Sequence, residues 1–178
     1  MEYLALLHGI NMGNKHRISM TELRTAFVAA GFDHVSSYAR NGNVVFTSSR
    51  PQAVVMARCR EALATWHLSV PLLVTPATPV VDAVAAAPPW WLHPAPNCVS
   101  EAFFMGQPQT APFILQTLTP AAMRIRSSMV GPLLLVTADS PHLAQEYWAL
   151  VPRARRNQAI IRNQLITTKL AELITARI

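Results

Sequence analysis

The order of apolar patterns in the first 76 residues constrains the fold of this chain more than any other feature. EYLALL (2–7) and VPLLVT (70–75) are compact apolar runs that read as strands, while HVSSYA (34–39) and NVVFTS (43–48) flank Asn41-Gly42. That pair is typical of a type I′ turn, in which both central residues take positive φ. The pattern therefore predicts an antiparallel hairpin formed by HVSSYA and NVVFTS.

Helical patterns fill the two gaps between these strands. Ser19 and Glu22 have the spacing of a capping box, and Gly31 stands where a helix should end. Pro51 opens a second helix, whose apolar residues recur on one side from Val55 to Trp66. The order β-α-β-β-α-β predicts a ferredoxin-like half, with two helices on one face of a four-stranded antiparallel sheet.

The rest of the chain repeats most of this order. After a short helix, four prolines in residues 88–96 predict a surface linker that holds neither a helix nor an inner strand. Strand, helix, two strands and a helix at 142–150 follow, and a last helix starts at about Asn163. We predict an α+β protein with a ferredoxin-like domain at 1–76, a helix and Pro/Trp-rich linker at 77–97, and a second, similar but less regular α+β domain at 98–178.

Composition excludes several functional classes. No apolar run approaches the roughly 20 residues of a membrane span, and Glu2 stands where a signal peptide carries positive charge, so we expect a cytoplasmic protein without membrane partners. The two cysteines are far apart and the six histidines lack metal-ligand spacing, so no metal or cofactor is predicted. No nucleophile has a recognisable orienting partner, so no catalytic residue is predicted and a binding role is favoured over an enzyme of unrecognised mechanism.

Positive charge is concentrated at the C-terminal end. The net charge is +6, and residues 150–178 contribute six basic residues against Glu172 alone, or +5. Guanidinium groups suit carboxylate and phosphate, so these arginines are candidate anion ligands: Arg153, Arg155, Arg156 and Arg162. The alternative is a solvated basic face.

Aromatic residues suggest a ligand surface. Trp90 and Trp91 lie in the proline-stiffened segment, where exposed indoles can stack on an aromatic ligand. With Phe103, Phe104 and Trp148 they are expected to wall a cleft between the halves. The alternative is that both tryptophans simply pack down.

The loop LLHGINMGNKHR (6–17) is a candidate anion site. Its glycines are too close together, and the helix begins too late, for a P-loop. Backbone N–H groups near Gly9, Asn11 and Gly13, with Lys15, are a candidate anion nest. Alternatively, the glycines supply tight backbone angles and Asn11 hydrogen-bonds its own loop.

Three segments resemble the bacterial family called domain of unknown function 1697: ALLHGINMGNKHRISMTELR, YARNGNVVF and RNQLITTKLAEL. The resemblance implies a two-part α+β fold with a ferredoxin-like N-terminal half, and it implies no activity. Family members typically read Thr-Thr-Arg-Asn-Trp-Asn-Thr across residues 160–166, where this chain keeps only Arg162 and Asn163. A site shared by the family there is expected to be lost or turned to another ligand.

These features give two main hypotheses. The first is a non-catalytic protein that binds an aromatic or amphipathic small molecule with an anionic group in a cleft between the halves, for sequestration or resistance. Its ligand residues are the tryptophans, Phe104, the arginines and Asn163. The second is a nucleic-acid-binding accessory protein that uses the C-terminal basic surface, whose affinity should fall steeply with salt. The oligomeric state stays open.

Overall fold

The computed structural model describes residues 1–11, 17–66, 70–106, 110–118, 124–140 and 158–178. The chain divides into a first unit, Met1–Thr78 with Ile174–Ile178, and a second unit, Pro79–Leu173. Each unit contains a four-stranded antiparallel sheet, so the predicted α+β class is confirmed. None of the helices among these residues has both the length and the apolar character needed to cross a bilayer.

The first unit has the predicted ferredoxin-like order. Its elements are β1 (Glu2–Leu7), α1 (Met20–Ala29), β2 (Asp33–Tyr38), β3 (Asn43–Thr47), α2 (Gln52–Ala64) and β4 (Leu72–Pro76). The strands lie in the order β2-β3-β1-β4, and every neighbouring pair is antiparallel. Side chains from one face of β1 and β3 form a single core with the buried residues of α1 and α2.

The start of α1 follows from its capping box. Ser19 Oγ accepts a hydrogen bond from the Glu22 backbone N at 3.1 Å, and Glu22 Oε2 accepts one from the Ser19 backbone N at 3.0 Å. Because these bonds favour the carboxylate, the pKa of Glu22 lies below its usual value. Leu23 and Phe27 then face the core one helical turn apart, as the apolar spacing predicts.

The turn between β2 and β3 differs from the predicted type I′ turn. Tyr38 pairs with Asn43, so the loop has four residues, and positive φ occurs at Ala39 (57°) and Gly42 (76°) but not at Asn41. The fully buried Asn43 stabilises this longer loop, because its Nδ2 donates to Tyr38 O at 2.9 Å and to Asn41 Oδ1 at 2.7 Å. The type I′ prediction was wrong because it considered the Asn-Gly pair without its buried neighbour.

The second unit repeats the strand order of the first. Its elements are α3 (Thr78–Ala85), α4 (Pro89–Leu92), β5 (Val99–Met105), α5 (Thr110–Leu118), β6 (Ile125–Val130), β7 (Leu133–Ala138), β8 (Ala159–Asn163) and α6 (Gln164–Thr175). The order β6-β7-β5-β8 corresponds strand for strand to β2-β3-β1-β4. The helix predicted at 142–150 lies outside the described residues.

The proline-rich segment is not a plain linker. It contains the one-turn helix α4, in which Pro88 is the N-cap and Pro89 the first helical residue. Proline is compatible with that position, because the first N–H groups of a helix have no intrahelical acceptor. The second unit includes α4 and all of α3 except its first residue, Thr78. The last five residues of the chain, Ile174–Ile178, belong to the first unit.

Arg177 anchors the C-terminus to the first sheet. Its Nη1 donates to Ser36 Oγ at 2.7 Å and to Val45 O at 3.2 Å, and its Nη2 donates to His34 O. Nη2 also lies 3.3 Å from Glu2 Oε2, and both side chains of this ion pair are mostly buried. One planar guanidinium group therefore connects β1, β2 and β3.

We predict that Gly42→Ala destabilises the protein far more than Gly9→Ala. Both glycines have φ near 80°, which costs alanine about 1 kcal/mol. A Cβ on Gly42 would also lie 2.7 Å from Leu7 Cβ, whereas a Cβ on Gly9 meets nothing within 4 Å. Urea unfolding should show a loss of about 3 kcal/mol for Gly42→Ala and about 1 kcal/mol for Gly9→Ala. Equal losses would mean that backbone strain alone fixes the glycine at 42.

A second prediction concerns the C-terminal anchor. Arg177→Ala should lower the free energy of unfolding by about 2 kcal/mol, because it leaves Glu2 without its cation and removes three hydrogen bonds. Arg177→Lys should recover only part of this loss, since an ammonium cannot reproduce the planar fork. Arg60→Ala, on the exposed side of α2, is the control and should change stability by less than about 0.5 kcal/mol.

Candidate functional site

A surface pocket of the second unit brings together residues suited to a small ligand. It has a volume of about 720 Å³, and we call it the Trp90 pocket. One side is lined by α4 and the segment after it, including Trp90, His93 and Cys98. The other side is lined by β6, β7 and the residues at their ends, including Arg124, Arg126, Thr137 and Asp139.

The position of Trp90 is fixed by its neighbour. Trp91 is fully buried, and its indole Nε1 donates to Glu101 O of β5 at 2.9 Å. Successive residues of a helix point in directions about 100° apart, so Trp90 cannot face the same core. It lies half-buried in the pocket lining, and its indole N–H has no hydrogen-bond partner among the described residues.

Two arginines approach the pocket from the paired strands. Arg124 Nε lies 2.8 Å from Asp139 Oδ2, and the Asp139 backbone N donates to Arg124 O at 3.1 Å. Arg126 is directly opposite Thr137, and within the described part of the chain it makes no hydrogen bond or ion pair. Two arginines and one aspartate give this wall a formal charge of +2 − 1 = +1.

The floor of the pocket is fixed by a buried pair of hydroxyl groups. Thr137 Oγ1 and Ser100 Oγ are 2.7 Å apart, joining β7 to β5 beneath Arg126. Neighbouring strand residues face opposite ways, so Val136 enters the core with Ile114 of α5 while Thr137 faces the pocket. This arrangement places the indole of Trp90 on α4 and the guanidinium group of Arg126 on the sheet, on the two sides of one pocket, which suits stacking and anion binding.

The described residues offer no metal centre. No group of three His, Cys, Asp or Glu side chains that could hold an ion occurs in those ranges. The pocket contains His93 and Cys98, but neither makes a side-chain hydrogen bond with a described residue that would orient it for catalysis.

Two of the predicted ligand residues lie in the core instead. Trp91 is 0% and Phe104 is 1% exposed, and Phe104 pairs with Leu133 on one side and Ile160 on the other. Both side chains therefore pack in the core, and for Trp91 this is the alternative to ligand stacking. Four other predicted ligand residues lie outside the described residues: Trp148, Arg153, Arg155 and Arg156.

Arg162 and Asn163 have structural contacts. Arg162 is 5% exposed and donates to Ile161 O at 2.9 Å; burial lowers the pKa of its guanidinium group to about 10, so it stays charged at neutral pH. Asn163 Oδ1 accepts a hydrogen bond from the Ile166 backbone N at 2.9 Å and so caps α6. Further along α6, Lys169 pairs with Glu172 at 2.8 Å.

The side chain of Asn11 closes the loop that it belongs to. Its Nδ2 donates to Ile18 O at 2.9 Å and to Arg40 O at 2.8 Å, and its Oδ1 accepts from the Ile18 backbone N at 2.8 Å. Positive φ at Gly9 (80°) and Asn11 (55°) gives a tight backbone, as expected if this loop has a structural role and is not an anion site. Gly13 and Lys15, the other members of the candidate anion nest, lie outside the described residues.

Sequence reasoning missed His93, Arg124, Arg126 and Asp139 as site residues. A signal was present in the pattern Arg124-Ile125-Arg126, because strand alternation places the two arginines on one face and the isoleucine in the core. The step that could not be taken from the sequence is the position of α4, which brings Trp90 to that face.

Comparisons with known proteins place the chain in a family. Residues 1–125 match the model described as "Protein of unknown function (DUF1697)". The chain belongs to this family. No curated protein matches it. Among solved structures, this DUF1697 protein is similar to the conserved bacterial protein SP0830 from Streptococcus pneumoniae, with a TM-score of 0.75 and 18% identity over 96% of this chain and 97% of that one. At this identity the similarity establishes the fold alone.

We predict that the adjacent tryptophans respond differently to the same change. Trp91→Phe removes the hydrogen bond to Glu101 O and leaves a small void, so it should lower the free energy of unfolding by about 2 kcal/mol. Trp90→Phe changes a half-buried side chain without a described hydrogen bond and should stay within about 0.5 kcal/mol of the parent protein. Urea unfolding of both variants is the measurement, and similar losses would contradict the anchoring role of Trp91.

Proposed function

We propose that this DUF1697 protein is a non-catalytic binding protein whose ligand is an aromatic or amphipathic small molecule with an anionic group. The proposal keeps the ligand class expected from the sequence and assigns it to the Trp90 pocket of the second unit. Sequestration of such a compound, in the cytoplasm, is the biological use that we propose for it.

One observation carries the proposal. The half-buried indole of Trp90 and the guanidinium group of Arg126, which has no partner among the described residues, line the same pocket. The volume of about 720 Å³ lies within the range of roughly 300–1,000 Å³ that is common for small-molecule sites. The pocket also mixes an apolar wall with a few polar groups, which is the composition that orients a ligand.

The geometry suggests how such a ligand would bind. Its ring would stack on the indole of Trp90, which the hydrogen bond of Trp91 holds in place. Its anionic group would accept hydrogen bonds from Arg126, which projects beside Thr137. Trp90 is half-buried on α4, so its indole would lose little freedom on binding, whereas the exposed side chain of Arg126 would be ordered by the ligand.

The alternative, binding of nucleic acid, has less support. Three basic residues of the C-terminal segment are described, and each already has a role: Arg162 is buried, Lys169 pairs with Glu172, and Arg177 binds Glu2. A nucleic-acid surface would therefore depend on Arg153, Arg155 and Arg156, which lie outside the described residues. We treat this alternative as an outcome of the test below.

We predict that 1-naphthoate, used as a probe, binds the parent protein and that Trp90→Ala weakens its affinity about tenfold, since stacking contributes about 1 kcal/mol or more. Isothermal titration calorimetry measures this change. Trp66→Ala, the same substitution in the first unit, is the matched control and should leave the affinity unchanged once circular dichroism shows that the variant is folded.

The two cysteines give an independent readout of the same binding. Cys98 lines the pocket and is partly exposed, so the probe should slow its alkylation by iodoacetamide. Cys59 is the internal control, because burial raises its pKa to about 12 and keeps it as an unreactive thiol. If Cys98 is not protected and an oligonucleotide binds with steep salt dependence, the nucleic-acid alternative replaces the proposal.

A further inference from the structure

We infer that the Trp90 pocket selects ligands with a single carboxylate over ligands with a doubly charged phosphate, with Arg126 binding the anion and Asp139 setting this preference. The inference rests on the proposed function and specifies its ligand class. It follows from the unequal surroundings of the two arginines in the pocket wall.

Arg124 is largely neutralised by Asp139. The ion pair of 2.8 Å uses its Nε, and the backbone hydrogen bond from Asp139 N to Arg124 O keeps the two residues opposite each other. Their side chains are 56% and 43% exposed, so the pair is accessible to solvent and its charges are partly screened. Because the carboxylate of Asp139 lies 2.8 Å from Nε, an incoming anion would meet an arginine whose charge is already largely compensated.

Arg126 provides the remaining positive charge. It lies two residues along the same strand, on the pocket side of β6, and no described carboxylate pairs with it. A carboxylate can accept two parallel hydrogen bonds from a guanidinium fork, and one negative charge then balances the +1 of the wall. The Thr137 hydroxyl beneath Arg126 is uncharged and hydrogen-bonded with Ser100 Oγ, so it adds no positive charge to the wall.

A phosphate monoester would leave part of its charge uncompensated. It carries about −1.5 to −2 charges at neutral pH, so removing water from it costs more than for a carboxylate, and a wall of net charge +1 offsets only part of that cost. Its second charge would lie close to the carboxylate of Asp139, on the same wall, and like charges repel. Asp139 thus disfavours a phosphate in two ways: it pairs with Arg124, and it repels the second negative charge of the ligand.

The test compares two probes that share one ring system, 1-naphthoate and 1-naphthyl phosphate, by calorimetry at neutral pH. The parent protein should bind the carboxylate at least about fivefold more tightly. Asp139→Asn removes the repulsion and frees Arg124, so it should shift the affinity ratio toward the phosphate by about tenfold. Asp82→Asn, the same charge change on the exposed side of α3, is the matched control and should leave the ratio unchanged.

Two further variants separate the roles of the arginines. Arg126→Met should weaken both probes by about tenfold or more, because it removes the cation that binds them. Arg124→Gln leaves Asp139 without its cation and should increase the preference for the carboxylate, which is the opposite of the Asp139→Asn shift. This opposite pair of changes keeps the inference testable even if one of the two variants does not fold.

The outcomes distinguish this inference from the proposed function. If neither probe binds the folded parent protein, the proposed function fails and the inference fails with it. If both probes bind, and neither Asp139→Asn nor Arg124→Gln changes their affinity ratio, the pocket binds anions but Asp139 does not select among them. A parent protein that prefers the phosphate would also overturn the inference while leaving the proposed function intact.

Discussion

The hydrogen bond from the Trp91 indole to Glu101 O is the interaction on which the rest of the candidate site depends. A one-turn helix such as α4 has too few internal hydrogen bonds to be stable by itself, so its position must come from tertiary contacts. Trp91 supplies them, because its ring is fully buried and its only polar atom is satisfied by β5. With Trp91 fixed, Trp90 is turned toward β6 and β7, and a pocket forms where the sequence alone indicates only a linker.

Much of the fold follows from local sequence patterns. The capping box at Ser19 and Glu22 and the spacing of Leu23 and Phe27 are contained within single turns, where backbone hydrogen bonding and burial agree. The same strand order in both units accompanies the same β-α-β-β succession of elements along the chain. The predictions failed where a distant residue decides the local structure, as the buried Asn43 does for the hairpin loop and Trp91 does for α4.

The candidate site was harder to predict, because composition reveals which residues are charged but not where their side chains lie. The basic cluster RARRNQAIIRN (153–163) indicates an anion-binding surface, yet its member Arg162 is buried in β8. Arg124 and Arg126 stand apart from any basic cluster, separated by Ile125 in a predicted strand, so composition does not single them out. Only the pairing of β6 with β7 brings Arg126 to Thr137 and the end of β6 to Asp139, and pairing is a property of the fold.

Ile160 and Ile161 of β8 suit the positions that they occupy. Ile160 and Ile161 pair with Phe104 and Phe103 of β5, and the alternation of the strand sends them to opposite faces. Ile160 is 2% exposed and Ile161 packs against the core shared with α5, so aliphatic side chains suit both positions. Polar side chains at the same two positions would need buried hydrogen-bond partners, and each would be costly without one. In this chain β8 therefore contributes to the core, whereas Arg126 of β6, at the opposite edge of the same sheet, is exposed to solvent.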